Sequence, residues 1–348
     1  MPDFVFRGHQ ASVNCVHFLA NGRFLVSGDQ DGRLIVWSML LKRQLTSINA
    51  HSSAILAISS LGTNNTADPF TLLTQGRDNK LHTWTLRARE FDASLELAAT
   101  QPIESLNFCR FANAGEWVVG LLAGEDKLGR MFLYNAKTQY TSTFSVKRGS
   151  NAREDQPMCV ALCAEPSSDG LLLVAGYESN AVQCFHLRVS GDPVQASRVF
   201  GVQAPHKEPL MGVAVDRGNG RIYTCAADSK VCCFGFDGGV VSETAEAAMA
   251  HPGGSMVRCF DEPKIVAVPG WDYALHLYDH GLRHIRDVRF HRAALTCVDV
   301  SVKCMDPLVD IADELVQQRW RAQPQWMAVA SRDERISIWD IQNCVIDT

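Results

Sequence analysis

No apolar run in this 348-residue chain reaches the length of about eighteen residues that a membrane-spanning helix needs. Excess basic charge is missing as well. A formal net charge of −5 leaves no broad basic face of the kind nucleic acids require. Charged residues make up only 20% and hydrophobic residues 46%, which excludes a disordered chain and allows a sizeable buried core. The opening Met1-Pro2-Asp3-Phe4 carries an acid and no apolar stretch of signal-peptide length, so no leader is expected. Paired cysteine motifs are also lacking: none of the twelve cysteines forms Cys-x-x-Cys, and Cys159 and Cys163 have no matching second pair for zinc. Cys15, Cys159, Cys184, Cys225, Cys232, Cys259 and Cys297 lie inside strand-like runs and are expected to be reduced, buried thiols. A nuclear and cytoplasmic location is the matching expectation, and Asn64-Asn65-Thr66 is then an accidental glycosylation match. Finally, no phosphate-cradling Gly loop, His-Glu-x-x-His or Gly-x-Ser-x-Gly occurs. We therefore assign no catalytic residue, no cofactor and no metal.

What is present is a repeat. A Ser or Thr is followed four residues later by Asp and six beyond that by an aromatic, in Ser27–Asp31–Trp37, Thr74–Asp78–Trp84 and Thr224–Asp228–Phe234. Each set follows a His, namely His9, His51 and His206. Taking the aromatic as the end of a third strand gives Trp37, Trp84, Tyr134, Phe185, Phe234, Tyr278 and Trp339, mostly 44 to 51 residues apart with one gap of 61. Between them lie short alternating runs such as Arg33–Trp37, Lys80–Trp84, Ala274–Tyr278 and Arg335–Trp339. Turn pairs punctuate them, among them Asn21-Gly22, Asp169-Gly170 and Asp237-Gly238. The fold expected is all-β: one seven-bladed β-propeller over residues 1–348.

Hydrogen bonding explains the recurring set. The Asp sits in the turn between second and third strands and accepts from that turn and from the entry His. The His meets the hydroxyl, and the hydroxyl meets the Trp indole N–H. A buried carboxylate is tolerable only when satisfied in this way. The rival, a Ser-His-Asp hydrolase triad, needs its Ser exposed at a cleft, and three copies at repeat spacing favour structure. The sets are unequal. The sixth has His251, Asp272 and Tyr278 but Val268 at the hydroxyl position; the seventh has His291, Asp333 and Trp339 but Val329. The fourth has Ser179 in place of Asp, and the third has Leu128. The chain ends shortly after Trp339, so Phe4-Val5-Phe6 is expected to pair with the last blade and close the ring.

The Gly-His entries and Trp339-Asp340 resemble WD-repeat proteins. Leu72-Leu73-Thr74-Gln75-Gly76-Arg77-Asp78, Pro157-Met158-Cys159, Ala175-Gly176-Tyr177-Glu178, Gly270-Trp271-Asp272 and Ser331-Arg332-Asp333 resemble, across six blades, the family of ASTRA-associated protein 1 and G-protein β-subunit-like protein 1. That resemblance implies a non-catalytic scaffold in ASTRA, an assembly associated with chromatin remodelling. It also implies a tie to the TTT co-chaperone system that matures phosphatidylinositol-3-kinase-related kinases. Implied partners are HEAT-repeat proteins, RuvB-like ATPases and the kinases, with no nucleic acid or membrane contact and a monomeric chain within the larger complex. A substrate receptor of a cullin-type ubiquitin ligase is the alternative. Such receptors carry Trp-Asp-x-Arg; Trp84-Thr85-Leu86-Arg87 keeps the Arg and Trp339-Asp340-Ile341-Gln342 the Asp. A G-protein β subunit would want a long coiled-coil helix before its first blade.

Two surfaces are candidates for partner binding. The residue before each turn Asp should face one rim, and Gln30, Arg77, Trp271 and Arg332 supply the residue types found in interface hot spots; the plainer alternative is local pairing of the arginines with Asp78 and Asp333. The second is an insertion at about 303–324 of blade seven, where Leu308, Ile311, Leu315 and Trp320 recur at helical spacing after Pro307. A helix folded back on its own blade is the alternative there. The charged stretch 147–155 reads as a connecting loop.

Overall fold

Residues that alternate apolar and polar, or run fully apolar between turn residues, form strands here because both faces of most strands are covered by neighbouring sheets. The computed structural model describes residues 1–61, 69–103, 108–122, 129–146, 156–164, 170–189, 194–237, 240–302 and 323–345. It contains seven four-stranded antiparallel sheets. Blade one comprises Val13–Leu19, Phe24–Asp29, Arg33–Ser38 and Arg43–Asn49; blade two comprises Ile55–Ser60, Phe70–Gly76, Lys80–Ala88 and Ala93–Pro102. Blade three is also four-stranded, although its first strand is only Ala112–Ala114. The fold is a seven-bladed β-propeller.

The last sheet shows how the termini are used. Its fourth strand is Phe4–Arg7, which pairs with Arg335–Asp340 in the register Phe4↔Ile338, Val5↔Ser337, Phe6↔Ile336 and Arg7↔Arg335. Asp3 extends the clasp: its N–H donates to Ile338 O at 2.9 Å, and its Oδ2 accepts from Asp340 N–H at 2.7 Å. Phe6 then stacks on Trp37 of blade one, with ring centroids 4.6 Å apart. A short helix, Ile341–Val345, follows the last strand.

The chain forms two compact units. The first contains Met1–Gln101, Tyr273–Leu275 and Arg286–Thr348; the second contains Pro102–Asp272 and His276–Ile285. Within the first unit the fully buried residues come from facing strands, such as Leu25, Leu34, Ile55, Leu72, Met327 and Ile338. In the second, three clusters fill the spaces between successive blades. They centre on Leu133, Leu173 and Tyr177, on Val174, Leu210 and Phe234, and on Tyr223, Val266 and Tyr278. Each described cysteine is a free thiol; Cys15, Cys159, Cys184, Cys225, Cys232 and Cys297 are buried, and Cys259 is half-buried.

Candidate functional site

The polar sets inside the blades decide which residues are left for a partner. In blade two the Trp84 indole N–H donates to Thr74 Oγ1 at 2.9 Å, and the Thr74 hydroxyl lies 2.8 Å from His51 Nε2. His51 Nδ1 meets Asp78 Oδ1 at 2.9 Å. Asp78 Oδ2 also accepts the Ser52 N–H at 3.1 Å. Burial lowers the His51 pKa, so its ring is neutral, donating from Nδ1 and accepting the Thr74 hydroxyl at Nε2. Burial alone would raise the Asp78 carboxyl; His51 and the Ser52 N–H outweigh it and hold the group below its usual value. Blade five repeats the arrangement. His206 Nδ1 lies 3.1 Å from Asp228 Oδ1 and its Nε2 lies 2.9 Å from Thr224 Oγ1, while Phe234 completes the site without an N–H.

Blade one departs from the spacing rule. His9 Nε2 meets Ser27 Oγ at 2.6 Å, and Trp37 Nε1 donates to the same oxygen at 2.8 Å. The carboxylate on His9 Nδ1 is Asp29, at 2.7 Å, and not Asp31, which is exposed. Asp29 also accepts the N–H groups of Asp31 and Arg33 at 3.0 and 2.9 Å. The reason is steric and positional. In blade two the place two residues before the turn Asp is Gly76, where an added Cβ would lie 2.3 Å from His51 Nδ1 and 2.4 Å from Asp78 Oδ1. A side chain at that place points straight at the His, and in blade one that side chain is a carboxylate.

Blades six and seven depart differently. In blade seven Ser337, on the third strand, stands 2.8 Å from His291 Nε2 and accepts the Trp339 indole N–H at 2.8 Å. It lies directly opposite Val329 in the sheet register, so the hydroxyl missing from the second strand comes from its cross-strand neighbour. In blade six Asp272 meets His276 Nε2 at 3.1 Å, whereas His251 is exposed and takes no part. Blade four, lacking the Asp, holds its turn with Asn180, whose Nδ2–H donates to His206 O at 2.9 Å. Leu128 of blade three lies outside the described residues.

These sets perform no hydrolysis. Ser27, Thr74 and Thr224 are each 0% exposed, so no substrate carbonyl reaches them. His51, Asp78 and His82 bring ligand atoms within 4.8 Å of one another, yet both ring nitrogens of His51 are already committed within the blade.

The rim is what remains. In six blades the residue after the second strand, or one place into the turn, donates its N–H to the segment entering the blade. Gln30 bonds to Ser12 O, Arg77 to Ala54 O, Glu178 to Gln156 O, Ala227 to Pro209 O, Trp271 to Gly253 O and Arg332 to Ala294 O, all at 2.8 to 3.1 Å. The backbone is thus pinned and the side chain directed outward. Gln30, Arg77 and Arg332 are exposed and all belong to the first unit. Trp271 belongs to the second. It is 40% exposed, and an added Cβ on Gly253 would sit 2.2 Å from its ring, so the indole lies flat on glycine backbone.

Hydrogen bonds join the first unit's positions into one edge. The Ser12 hydroxyl donates to Arg332 O at 3.4 Å, and the Asn14 amide donates to Gln30 Oε1 at 3.2 Å and to Ile55 O at 3.1 Å. Ile55 pairs with Gly76, the residue before Arg77. Asp333 is occupied by His291 at 3.0 Å and by the N–H groups of Arg292 and Arg335 at 3.2 Å. The other sequence-derived candidates, Leu308, Ile311, Leu315 and Trp320, lie outside the described residues, as does the 147–155 stretch.

Residues 2–38 match the model of the WD domain, G-beta repeat, family. That segment contains the clasp strand and the His9–Ser27–Trp37 set just described. The chain carries a WD repeat. It is 27% identical to the Guanine nucleotide-binding protein subunit beta-like protein 1 of Mus musculus, with 99% of this chain and 97% of that protein aligned. The ASTRA-associated protein 1 of Verticillium alfalfae is also 27% identical, over 98% and 92% of the two chains. That of Schizosaccharomyces japonicus is 24% identical over 98% of each. The WD-repeat chain is homologous to these proteins over its full length, and their names denote no enzymatic activity.

Proposed function

We propose that this chain is a non-catalytic scaffold that works within an ASTRA-type assembly. In this reading it partners the TTT co-chaperone system and supports maturation of phosphatidylinositol-3-kinase-related kinases and chromatin remodelling. The observation that carries the reading is full-length homology to proteins named ASTRA-associated, on a fold whose buried polar groups are spent inside the blades. Residues 1–348 act as a single propeller with an insertion at 303–324, monomeric within the larger complex and shared between nucleus and cytoplasm. The exposed rim formed by Gln30, Arg77 and Arg332 is the docking surface of the first unit, and Trp271 is a separate candidate contact on the second.

Affinity purification of the tagged full chain, followed by mass spectrometry, tests this. HEAT-repeat co-chaperones and RuvB-like ATPases are the expected companions; recovery of a cullin adaptor in their place would overturn the reading. Reversing charge at Arg77 and Arg332 together should abolish that recovery and leave the melting temperature unchanged. Fluorescence microscopy of the tagged chain tests the location.

A further inference from the structure

We propose that the rim of the first unit docks an acidic, Asp/Glu-rich segment of a partner protein, an inference that rests on the scaffold reading above. The sequence as a whole is acidic, at −5, but this rim is not. Around the turn of blade seven stand Arg292 and Arg332, both exposed, and half-buried Arg335. Arg77 and Lys80 are exposed on the equivalent turn of blade two. Between them, on blade one, lies the exposed amide of Gln30.

What makes this charge available is where the rim's own acids point. Asp29 and Asp333 are turned inward onto His9 and His291 and onto turn N–H groups, so their lone pairs are committed beneath the surface. Asp78 is likewise turned onto His51 and the Ser52 N–H. The acids left outside on these turns are Asp31 and Glu334, both exposed. Three carboxylates have been withdrawn from a surface whose cations remain on it. Among the described residues, the Arg332 and Arg292 guanidinium groups make no hydrogen bond or ion pair.

The occupant follows from charge complementarity and from the edge's continuity. Guanidinium groups bind carboxylates with two parallel hydrogen bonds, and exposed arginines on pinned turns lose little freedom on doing so. The thread Arg332–Ser12–Gln30–Asn14–Ile55–Gly76 runs across three consecutive blades, which suits an extended chain with carboxylates at its two ends and a polar middle over Gln30. Asp31 and Glu334 interrupt the positive charge, which disfavours a uniform polyphosphate backbone.

The test uses the full-length protein and a fluorescein-labelled peptide of alternating Glu and Ser, read by fluorescence anisotropy. A Lys-Ser peptide, a DNA duplex and vesicles containing phosphatidylserine serve as the other arms. We expect the Glu peptide alone to bind, with affinity that falls as salt is raised. Arg292→Glu with Arg332→Glu should weaken it by about tenfold or more at unchanged melting temperature. The charge-removing pair Arg292→Gln and Arg332→Gln should fall between wild type and that variant, and covers the case in which charge reversal disturbs folding. Failure of the wild type to bind the Glu peptide, or equal binding by the variants, would overturn the proposal. Equal or tighter capture of the duplex or the vesicles through the same arginines would replace it with a general polyanion surface. If partner recovery from cells depends on Arg332 while every Glu-peptide arm is blank, the scaffold reading stands and the acidic chemistry fails.

Discussion

At the residue scale, the buried carboxylates separate structural from surface acids more sharply than their spacing does. Asp29 bridges its entry His to turn N–H groups and Asp78 bridges His51 to the neighbouring Ser52 N–H, whereas Asp31 faces solvent. Asp78→Ala should cost about 3 kcal/mol, because it strands His51 in the interior without its partner. Asp29→Ala should do similar damage and Asp31→Ala should change stability by less than about 0.5 kcal/mol. Ser179→Ala in blade four should cost under about 1 kcal/mol. Urea denaturation of the variants checks the order, and equal losses for Asp29→Ala and Asp31→Ala would refute the blade-one assignment. Protonation carries the same logic. Burial, with His51 close by, lowers the His82 pKa to about 4, and burial lowers those of His51 and His206. An unfolded His takes up its proton near 6.5, so the folded state loses stability as pH falls from there toward about 4. Asp78, Asp228 and Asp333 titrate below 3.8 in the fold, so their contribution is lost on further acidification. Melting temperature should therefore fall steadily below about pH 6.5, and His82→Gln should flatten the first part of that fall.

At the scale of the element, the turns between second and third strands in blades one, two, four, six and seven each have one residue with left-handed backbone. Asn79, Asn180, Tyr273 and Glu334 have φ of 63 to 69°, and Gly32 has φ +83°. In blade one that residue must also be small, since a Cβ would lie 2.1 Å from His51 O. Gly32→Ala should therefore lower stability by at least about 1 kcal/mol, measured by chemical denaturation, through strain at the seam where Ala50 and His51 bond back to Gly32 O. The seventh blade shows a different freedom. Because Val329 and Ser337 are register partners, a hydroxyl on either strand reaches the same His and Trp. Ser337→Ala removes it and should cost about 2 kcal/mol, and Val329→Ser in that background should recover part of the loss.

For the whole molecule, the clasp is the element on which the last sheet depends. Without Phe4–Arg7 the strand Arg335–Asp340 becomes an edge, and Phe6 no longer stacks on Trp37. Removing residues 1–7 should lower the melting temperature of the entire protein in a single transition and increase its aggregation. A retained melting temperature with only a locally frayed last strand would show the clasp to be dispensable.

The all-β class, the blade count and the clasp strand were legible in the chain because they follow from local alternation and from an aromatic marker that recurs once in every blade. The His, hydroxyl and indole groups of blades one and two were legible for the same reason. Which carboxylate meets His9 was not. Asp29 and Asp31 flank one turn residue, and only the tertiary position of the imidazole distinguishes them. Ser337 was hidden likewise, because a cross-strand neighbour is distant in sequence but adjacent in register. The charge of the rim depends on these same contacts. The sequence by itself determined how many arginines and acids the turns carry; the tertiary structure decided which acids turn inward, because a buried His pulls a carboxylate beneath the surface and leaves its cationic neighbours outside.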